Sequence, residues 1–360
     1  MKQLAMETST YDPCLLHYRD PKQGFGIIGM QTDDTLIVAD EAFAIREEEQ
    51  IKRANILCKP REQLITSKPL RFNGAVITED AQDHPSDIVN SRGKIRKNAS
   101  LYEQYVAQRA LGAYIASVSQ PEASFDLSFA AQATQPDEED IKALNKRLKW
   151  QADNPNHGLR FIKINLRTAQ LYAFIDASFA NNKDSSSQIG YIIVLADAQN
   201  NANILHWSST KCKRITRSVL ASEMYGMANG FDAAAAIKST LTQLLHLLEP
   251  LPLVLCTDSK SLYECLVKLG TTREKRLMID LMCLRQSYER QEITEVRWIN
   301  GNSNPADAIT KSKPCRALQE LIDTNKLRID VNGWVERSLM KRNSKLKNVR
   351  FATPVTTPAP

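Results

Sequence analysis

The sequence lacks the paired cysteines of a disulfide framework or a zinc ribbon. Its seven cysteines are odd in number and stand singly, with no CxxC pair among them. This distribution indicates a reducing compartment. We therefore expect a fold that depends on its apolar core, for which 42% hydrophobic residues is an ordinary proportion.

Long apolar runs are also missing. No stretch approaches the roughly 20 consecutive apolar residues of a membrane helix. The first ten residues, MKQLAMETST, contain no apolar signal-peptide core. We therefore expect neither a signal peptide nor a membrane partner, and an intracellular location.

Excess charge is absent from most of the chain. The net charge of +6 equals the six Lys and Arg residues of segment 337–360, which has no acid, so residues 1–336 sum to zero. Bulk attraction of this larger part for a polyanion is thereby excluded. A nucleic-acid partner would have to be bound by local basic groups and by the tail.

Residue patterning divides the chain into five parts. Residues 1–80 contain short strand-like runs and one helical stretch, and residues 81–165 contain a polar linker followed by helices. Residues 166–312 read as three strands, a helix, a strand, helices, a last strand and a short helix, which predicts a mixed α/β sheet with helices on its faces. Residues 313–336 predict a helical extension, and residues 337–360 a disordered basic tail.

Four acids in the third part occupy notable positions. Asp176 ends the strand LYAFID, Asp258 ends the strand LVLCTD, Glu223 lies within the long helix, and Asp307 begins the last helix. Ligands of open α/β sheets bind at the carboxyl ends of the strands. We therefore expect the two strand-end aspartates to face one crevice, beside which the long helix brings Glu223.

Carboxylates gathered in one crevice repel one another unless a cation lies between them. Mg²⁺ prefers a few carboxylate ligands together with substrate phosphate oxygens. Two such ions about 4 Å apart can stabilise both the attacking and the leaving oxygen of a phosphodiester. The pattern therefore indicates hydrolysis of a nucleic-acid backbone.

Each acid also has a simpler interpretation. A strand-terminal Asp before Ser or Ala, the position of both Asp176 and Asp258, is often a helix N-cap. Asp258 precedes the predicted helix SKSLYEC and fits a helix N-cap. Asp307 fits a favourable acid in the first turn of a helix. Glu223 fits a solvated helix face. The joint arrangement favours a site over these separate roles.

Four segments within residues 166–312 together carry a family resemblance: DASFANNKDSSSQIGYIIVLAD, ILHWSSTKCKRITRSVLASEMYGM, CTDSKSLYECL and NPADAITK. In these segments the chain resembles the ribonuclease H domain of copia-type retrotransposon polyproteins, particularly fungal ones. The resemblance implies the ribonuclease H fold, a five-stranded mixed sheet flanked by helices. The expected location becomes a cytoplasmic virus-like particle or the nucleus.

The same resemblance implies a catalytic and metal-binding set formed by Asp176, Glu223, Asp258 and Asp307. The implied cofactor is a pair of Mg²⁺ ions, for which Mn²⁺ can substitute, with no small-molecule cofactor. The implied substrate is an RNA–DNA hybrid, cleaved in its RNA strand, and other parts of the polyprotein are expected partners. The loop WINGNSNPAD lacks the His that many cellular and retroviral ribonucleases H place there.

Upstream, the segments DPCLLHY, GMQTDDTLIVADEAF, KPREQL and LRFNGAVIT resemble the end of a reverse transcriptase domain. Asp33 and Asp34 match its paired aspartates at a hairpin turn, although Gln31 stands where Tyr or a similar residue is common. A polymerase needs a third carboxylate from an earlier strand and a nucleotide-binding region. We therefore expect a truncated palm and thumb remnant that does not synthesise DNA by itself.

A basic stretch before the long helix is the candidate contact with nucleic acid. The helix N-terminus and nearby cations together suit a phosphate backbone, and a solvated basic turn is the alternative. The basic residues are Lys211, Lys213, Arg214 and Arg217.

Two rival functions remain open. The first is a non-catalytic transposon remnant that binds nucleic acid or has no activity. The second is another nuclease of the same fold, which the order of the acids disfavours.

Overall fold

The computed structural model describes residues 4–18, 24–32, 34–73, 75–79, 100–268, 272 and 274–336. These residues form a small N-terminal sheet, a helical connection and a larger sheet. Among them, no helix has both the length and the apolar character needed to cross a bilayer. The predictions of a polar linker over 81–99 and of a disordered tail over 337–360 lie outside the described residues.

The N-terminal sheet is antiparallel, with its strands ordered as in the sequence. It comprises β1 (Met6–Thr8), β2 (Leu15–Tyr18), β3 (Gly26–Gln31) and β4 (Asp34–Ala39), and helix α1 (Glu41–Arg53) follows. The carboxylate of Asp40 caps this helix by accepting a hydrogen bond from the backbone N–H of Phe43. The buried Phe43 ring leaves no room for a side chain at Gly26, where a Cβ would lie 2.6 Å from ring atoms. A small hairpin of β5 (Leu70–Phe72) and β6 (Ala75–Ile77) comes next.

The helical connection consists of α2 (Leu101–Val118), α3 (Ser124–Ala130) and α4 (Glu138–Asp153). Ser100 and Asp137 each form a reciprocal capping box, with Glu103 and Asp140 respectively. The predicted cap at Ser100 is thus present. The three helices enclose a separate apolar cluster around Leu127 and Leu144.

The larger sheet has the strand order β12-β11-β10-β7-β8-β9. Its strands are β7 (Gln170–Ser178), β8 (Gln188–Ala196), β9 (Ala202–Lys211), β10 (Leu253–Thr257), β11 (Glu295–Ile299) and β12 (Val331–Glu336). β7, β10 and β11 run parallel, whereas β8, β9 and β12 are antiparallel to their neighbours. The chain therefore has the predicted ribonuclease H-like mixed sheet.

Helices cover both faces of this sheet. They are α5 (Val219–Leu244), α6 (Lys260–Val267), α7 (Leu277–Glu289) and α8 (Arg316–Thr324). Ile175 points to the face covered by α5, α6 and α7, whereas Phe174 points to the opposite face, which α8 covers. The alternation along β7 explains both apolar cores, because successive side chains of a strand point to opposite faces.

The five strands predicted within residues 166–312 are present as β7–β11, and β12 adds a sixth, unpredicted strand beside β11. The strand lies in segment 313–336, for which only helix was predicted. Its sequence, VNGWVE, has a central Gly and little apolar alternation, so its pattern is weak. Tertiary contacts hold it: Val335 packs on the core, and its carbonyl accepts a hydrogen bond from the Tyr288 hydroxyl at 3.0 Å.

Candidate active site

Two predicted site residues come together at the carboxyl ends of neighbouring strands. β7 and β10 are parallel, and their register pairs Ile175 with Thr257. Asp176 of β7 and Asp258, directly after β10, are the next residues, so they lie side by side at one edge of the sheet. This adjacency was expected from the sequence, because parallel strands end on the same side.

Glu223 reaches the same edge from helix α5. Ser218 caps the N-terminus of this helix, because its hydroxyl accepts a hydrogen bond from the backbone N–H of Ala221. Gly226 and Gly230 let the helix approach β7 closely, because a Cβ at Gly230 would lie 2.9 Å from an atom of Ile175. Glu223 stands one turn before Gly226 on the same face, which directs its side chain toward the strand ends.

The three carboxylates converge. Asp176, Glu223 and Asp258 each offer an oxygen, and these oxygens all lie within 4.8 Å of one another. Asp176 and Glu223 are only 2% and 5% exposed, which decides that the cluster is an interior feature rather than a surface patch of acids. Such a set of oxygen ligands suits a hard divalent cation.

The electrostatics of the cluster also favour a cation. Burial raises the pKa of Asp176, and it raises the pKa of Glu223 well above its ordinary value, with a further contribution from the charges of Asp176 and Asp258. Burial and the Asp176 charge together raise the pKa of Asp258 to about 6. Oε2 of Glu223 is buried and has no hydrogen-bond partner among the described residues. The residues therefore fit a divalent ion, which would supply the missing positive charge.

Asp307 lies beside these three acids but outside their tight cluster. It belongs to a short 3₁₀ helix, Pro305–Ile309, and its Oδ1 accepts a hydrogen bond from Nζ of Lys311. The same ammonium group lies 3.5 Å from Oδ2 of Asp176. Asp307 raises the pKa of both Asp176 and Asp258, so all four predicted acids share one electrostatic environment.

Two further site residues were missed by the sequence analysis. The hydroxyl of Thr310 donates a hydrogen bond to Oδ2 of Asp176, and Lys311 contacts two of the acids. Burial lowers the pKa of Lys311, but the Asp176 and Asp307 carboxylates outweigh that effect and raise it overall. The available signal was the spacing in NPADAITK, where Thr and Lys follow Asp307 by about one helical turn.

The loop that carries Asp307 is fastened to β7. The buried side chain of Asn304 donates a hydrogen bond to the carbonyl of Ile175 at 2.9 Å and accepts one from the backbone N–H of Ala306 at 3.1 Å. Gly301 passes close to the cluster, since a Cβ there would lie 3.2 Å from Oδ2 of Asp258. The Asn304 side chain thus fixes position 307 relative to Asp176.

Two of the simpler interpretations of these acids are wrong. Ser259, not Asp258, caps helix α6, because its hydroxyl accepts the hydrogen bond from the N–H of Leu262. Glu223 is buried rather than solvated. Asp307 does occupy the first turn of its short helix, so a structural role there coexists with its place at the site.

The four predicted basic residues differ in their contacts. Lys211 forms an ion pair with Asp184. Arg214 pairs with Asp280 at 3.0 Å and lies over the ring of Tyr225. The two remaining residues are exposed and form no ion pair with a described residue: Lys213 and Arg217.

The N-terminal hairpin has the predicted form. β3 and β4 are paired up to Gln31 and Asp34, and Thr32 adopts a positive φ of 40° in the connecting turn. Asp34 is exposed at the start of β4, whereas Asp33 lies outside the described residues. Their role as a remnant of a polymerase motif stays a prediction.

Comparisons with known proteins give two related sequences, whereas no protein-family model matches the chain. The chain is 32% identical over 186 residues to the retrovirus-related Pol polyprotein from transposon RE1 of Arabidopsis thaliana, and 29% identical over 192 residues to that from transposon RE2. These alignments cover 51% and 52% of the chain but only 12% and 13% of the relatives. Among solved structures, RNase H1 of the halophilic archaeon Halobacterium salinarum NRC-1 aligns with 42% of the chain and 98% of its own, at 15% identity and a TM-score of 0.31.

Proposed function

We propose that this chain, a relative of the Pol polyproteins of retrotransposons, is a metal-dependent ribonuclease H that cleaves the RNA strand of RNA–DNA hybrids. The sequence relationship confirms the predicted resemblance to such polyproteins. The observation that carries the proposed activity is the convergence of Asp176, Glu223 and Asp258 at the carboxyl edge of a ribonuclease H-like sheet.

The three converging acids are the residues proposed to hold a divalent ion, with Asp307 completing the site for a second one. Bound Mg²⁺ or Mn²⁺ would stabilise the charge that develops on a phosphodiester during hydrolysis. The protein holds the metal-binding carboxylates in fixed positions. Strand register sets the positions of Asp176 and Asp258, and the close packing of α5 on β7 sets that of Glu223. The cleaved RNA strand would end in a 3′-hydroxyl.

Thr310 and Asn304 act as positioning residues in this proposal. The Thr310 hydroxyl holds one oxygen of Asp176, so the carboxylate keeps a single orientation toward the cluster. Asn304 ties the last loop to the backbone of β7. Such outer partners fix the orientation of the groups that bind a metal.

Lys213 and Arg217 are the proposed contacts with the hybrid backbone. Both side chains are exposed just before helix α5, whose first turn leads to Glu223. Cations at a helix N-terminus suit phosphate groups. We expect the substrate to be selected by its helical shape and by the 2′-hydroxyls of its RNA strand rather than by base sequence.

A substrate panel tests this function. Labelled RNA–DNA hybrid, duplex RNA, duplex DNA and single-stranded RNA of one sequence are incubated with the wild-type chain and Mg²⁺ or Mn²⁺. The proposal predicts cleavage of the RNA strand of the hybrid only. Equal cleavage of duplex DNA would favour another nuclease of the same fold, and binding of the hybrid without cleavage would favour the non-catalytic remnant.

A further inference from the structure

Lys311 occupies an unusual place for a cation in a candidate metal site. Its ammonium group contacts Asp307 and lies 3.5 Å from Oδ2 of Asp176. Its charge also lowers the pKa values of Asp258 and Glu223 against the effect of burial. One side chain thus interacts with all four acids.

We propose that Lys311 controls the loading of a second divalent ion: its ammonium group holds the place between Asp176 and Asp307, and the second ion enters only when that group moves away. This inference rests on the proposed function. It adds a competing internal cation to the site and predicts that the two ions bind with different affinities.

The geometry separates a first ion from a second one. The oxygens of Asp176, Glu223 and Asp258 lie within 4.8 Å of one another without any contribution from Asp307. A first ion can therefore be held by this triad while Lys311 stays in place. A second ion that uses Asp307 must share a carboxylate whose Oδ1 already accepts a hydrogen bond from Lys311.

Competition follows from the charges. An ammonium group and a divalent ion both need carboxylate oxygens, and they repel each other strongly at a few ångströms in a buried setting. The ammonium group and the divalent ion therefore cannot both bind Asp307 and Asp176 without a large cost in free energy.

The ammonium group of Lys311 can also be displaced into solvent. Lys311 follows Asp307 by four residues, so the ion pair forms within one local turn. Its flexible four-carbon side chain is 35% exposed, which gives the displaced ammonium group a route to water. Displacement then needs no movement of the sheet or of the loop backbone.

Titration with Mn²⁺ tests the proposal, with free Mn²⁺ followed by electron paramagnetic resonance and no substrate present. For the wild type we expect a tight class of one ion and a weak class whose dissociation constant is at least about tenfold larger, within the 10–100-fold range of outer-partner effects on metal affinity. Lys311→Met should tighten the weak class by at least about tenfold, and more than it tightens the tight class. Lys311→Arg keeps a cation and should keep the difference in dissociation constant between the two classes.

Each contrary outcome has a separate meaning. The role of Lys311 would be overturned, with the metal site left intact, by either of two results. The two wild-type classes could have equal dissociation constants for Mn²⁺, or the difference between them could be the same in Lys311→Met as in the wild type. If Asp258→Asn binds Mn²⁺ as the wild type does, or if the wild type binds none, the proposed ribonuclease site itself is overturned. Circular dichroism checks the folding of each variant, and Lys311→Gln repeats the measurement with a polar side chain.

Discussion

Asp176 and Asp258 lie side by side because Ile175 and Thr257, the residues before them, are paired on two parallel strands. The relationship places two carboxylates at one sheet edge by backbone geometry alone. Burial then raises the pKa of both, which makes the pair depend on a nearby positive charge.

Thr310→Val removes the hydroxyl that donates to Asp176. The Asp176 carboxylate then loses its fixed orientation, and we expect kcat/KM on the hybrid to fall by about 10- to 100-fold. Thr310→Ser keeps a hydroxyl and should retain most of the activity. Equal activity in the Val and Ser variants would show that the hydrogen bond does not matter.

Gly230→Ala places a methyl group 2.9 Å from Ile175 and 3.2 Å from Tyr191. Overpacking costs about 1–3 kcal/mol, whereas the better helix propensity of Ala returns about 1 kcal/mol. We therefore expect a small change in the free energy of unfolding but a large loss of activity, since α5 carries Glu223. Urea unfolding and hybrid cleavage measure the two effects.

Gly226→Ala is the matched control for this substitution, because its nearest contact would be looser, at 3.2 Å. It should disturb activity less than Gly230→Ala. The opposite order would mean that the tight packing at Gly230 is not what sets the position of Glu223.

Replacing Lys213 and Arg217 by Gln tests the proposed contact with the hybrid backbone. If each neutralises one phosphate, the slope of log K against log salt should fall by roughly 0.9 per residue, or about 2 for the double variant. Lys211→Gln serves as control, because its ammonium group already pairs with Asp184. If the double variant has the same slope of log K against log salt as the wild type, the hybrid binds elsewhere on the surface.

His157 gives the helical connection a pH-dependent stability. Its Nε2 lies 2.5 Å from Oε1 of Glu122, and this hydrogen bond raises the pKa of His157 above its ordinary value of 6.5. The stabilisation is therefore full below about pH 6.5 and is lost as the pH rises through the higher pKa of the folded state.

His157→Gln should accordingly destabilise the chain at pH 6 and have little effect at pH 9, as measured by urea unfolding. Lys149→Gln, which breaks the exposed ion pair with Asp153, should show no such difference between the two pH values. A His157→Gln effect that is the same at both pH values would contradict the assignment.

The sequence was sufficient for the central sheet and for the pairing of its aspartates. LYAFID and LVLCTD are short apolar runs that end in Asp, and parallel strands bring such ends together. Glu223 was expected beside them because a helix packed on the sheet can reach the same edge, and the resemblance assigned it to the metal-binding set.

The rest of the site depends on contacts that no local pattern encodes. The spacing of Lys311 from Asp307 is compatible with an ion pair between them, but only the fold brings its ammonium group to Asp176. Strand β12 was missed for a similar reason, since VNGWVE is held by β11 and Tyr288 rather than by its own alternation. Position 307 likewise acquires its role through Asn304, which ties the loop to β7.

The most direct test of the central claim is Mg²⁺-dependent cleavage of a labelled RNA–DNA hybrid by the wild type and by Asp176→Asn. Glu264→Gln, which alters an acid paired with Lys268 on helix α6, is the control. We expect cleavage by the wild type and by Glu264→Gln, none without a divalent ion, and none by Asp176→Asn. Equal cleavage by the wild type and Asp176→Asn, or no cleavage by a folded wild type, would contradict the proposed ribonuclease site.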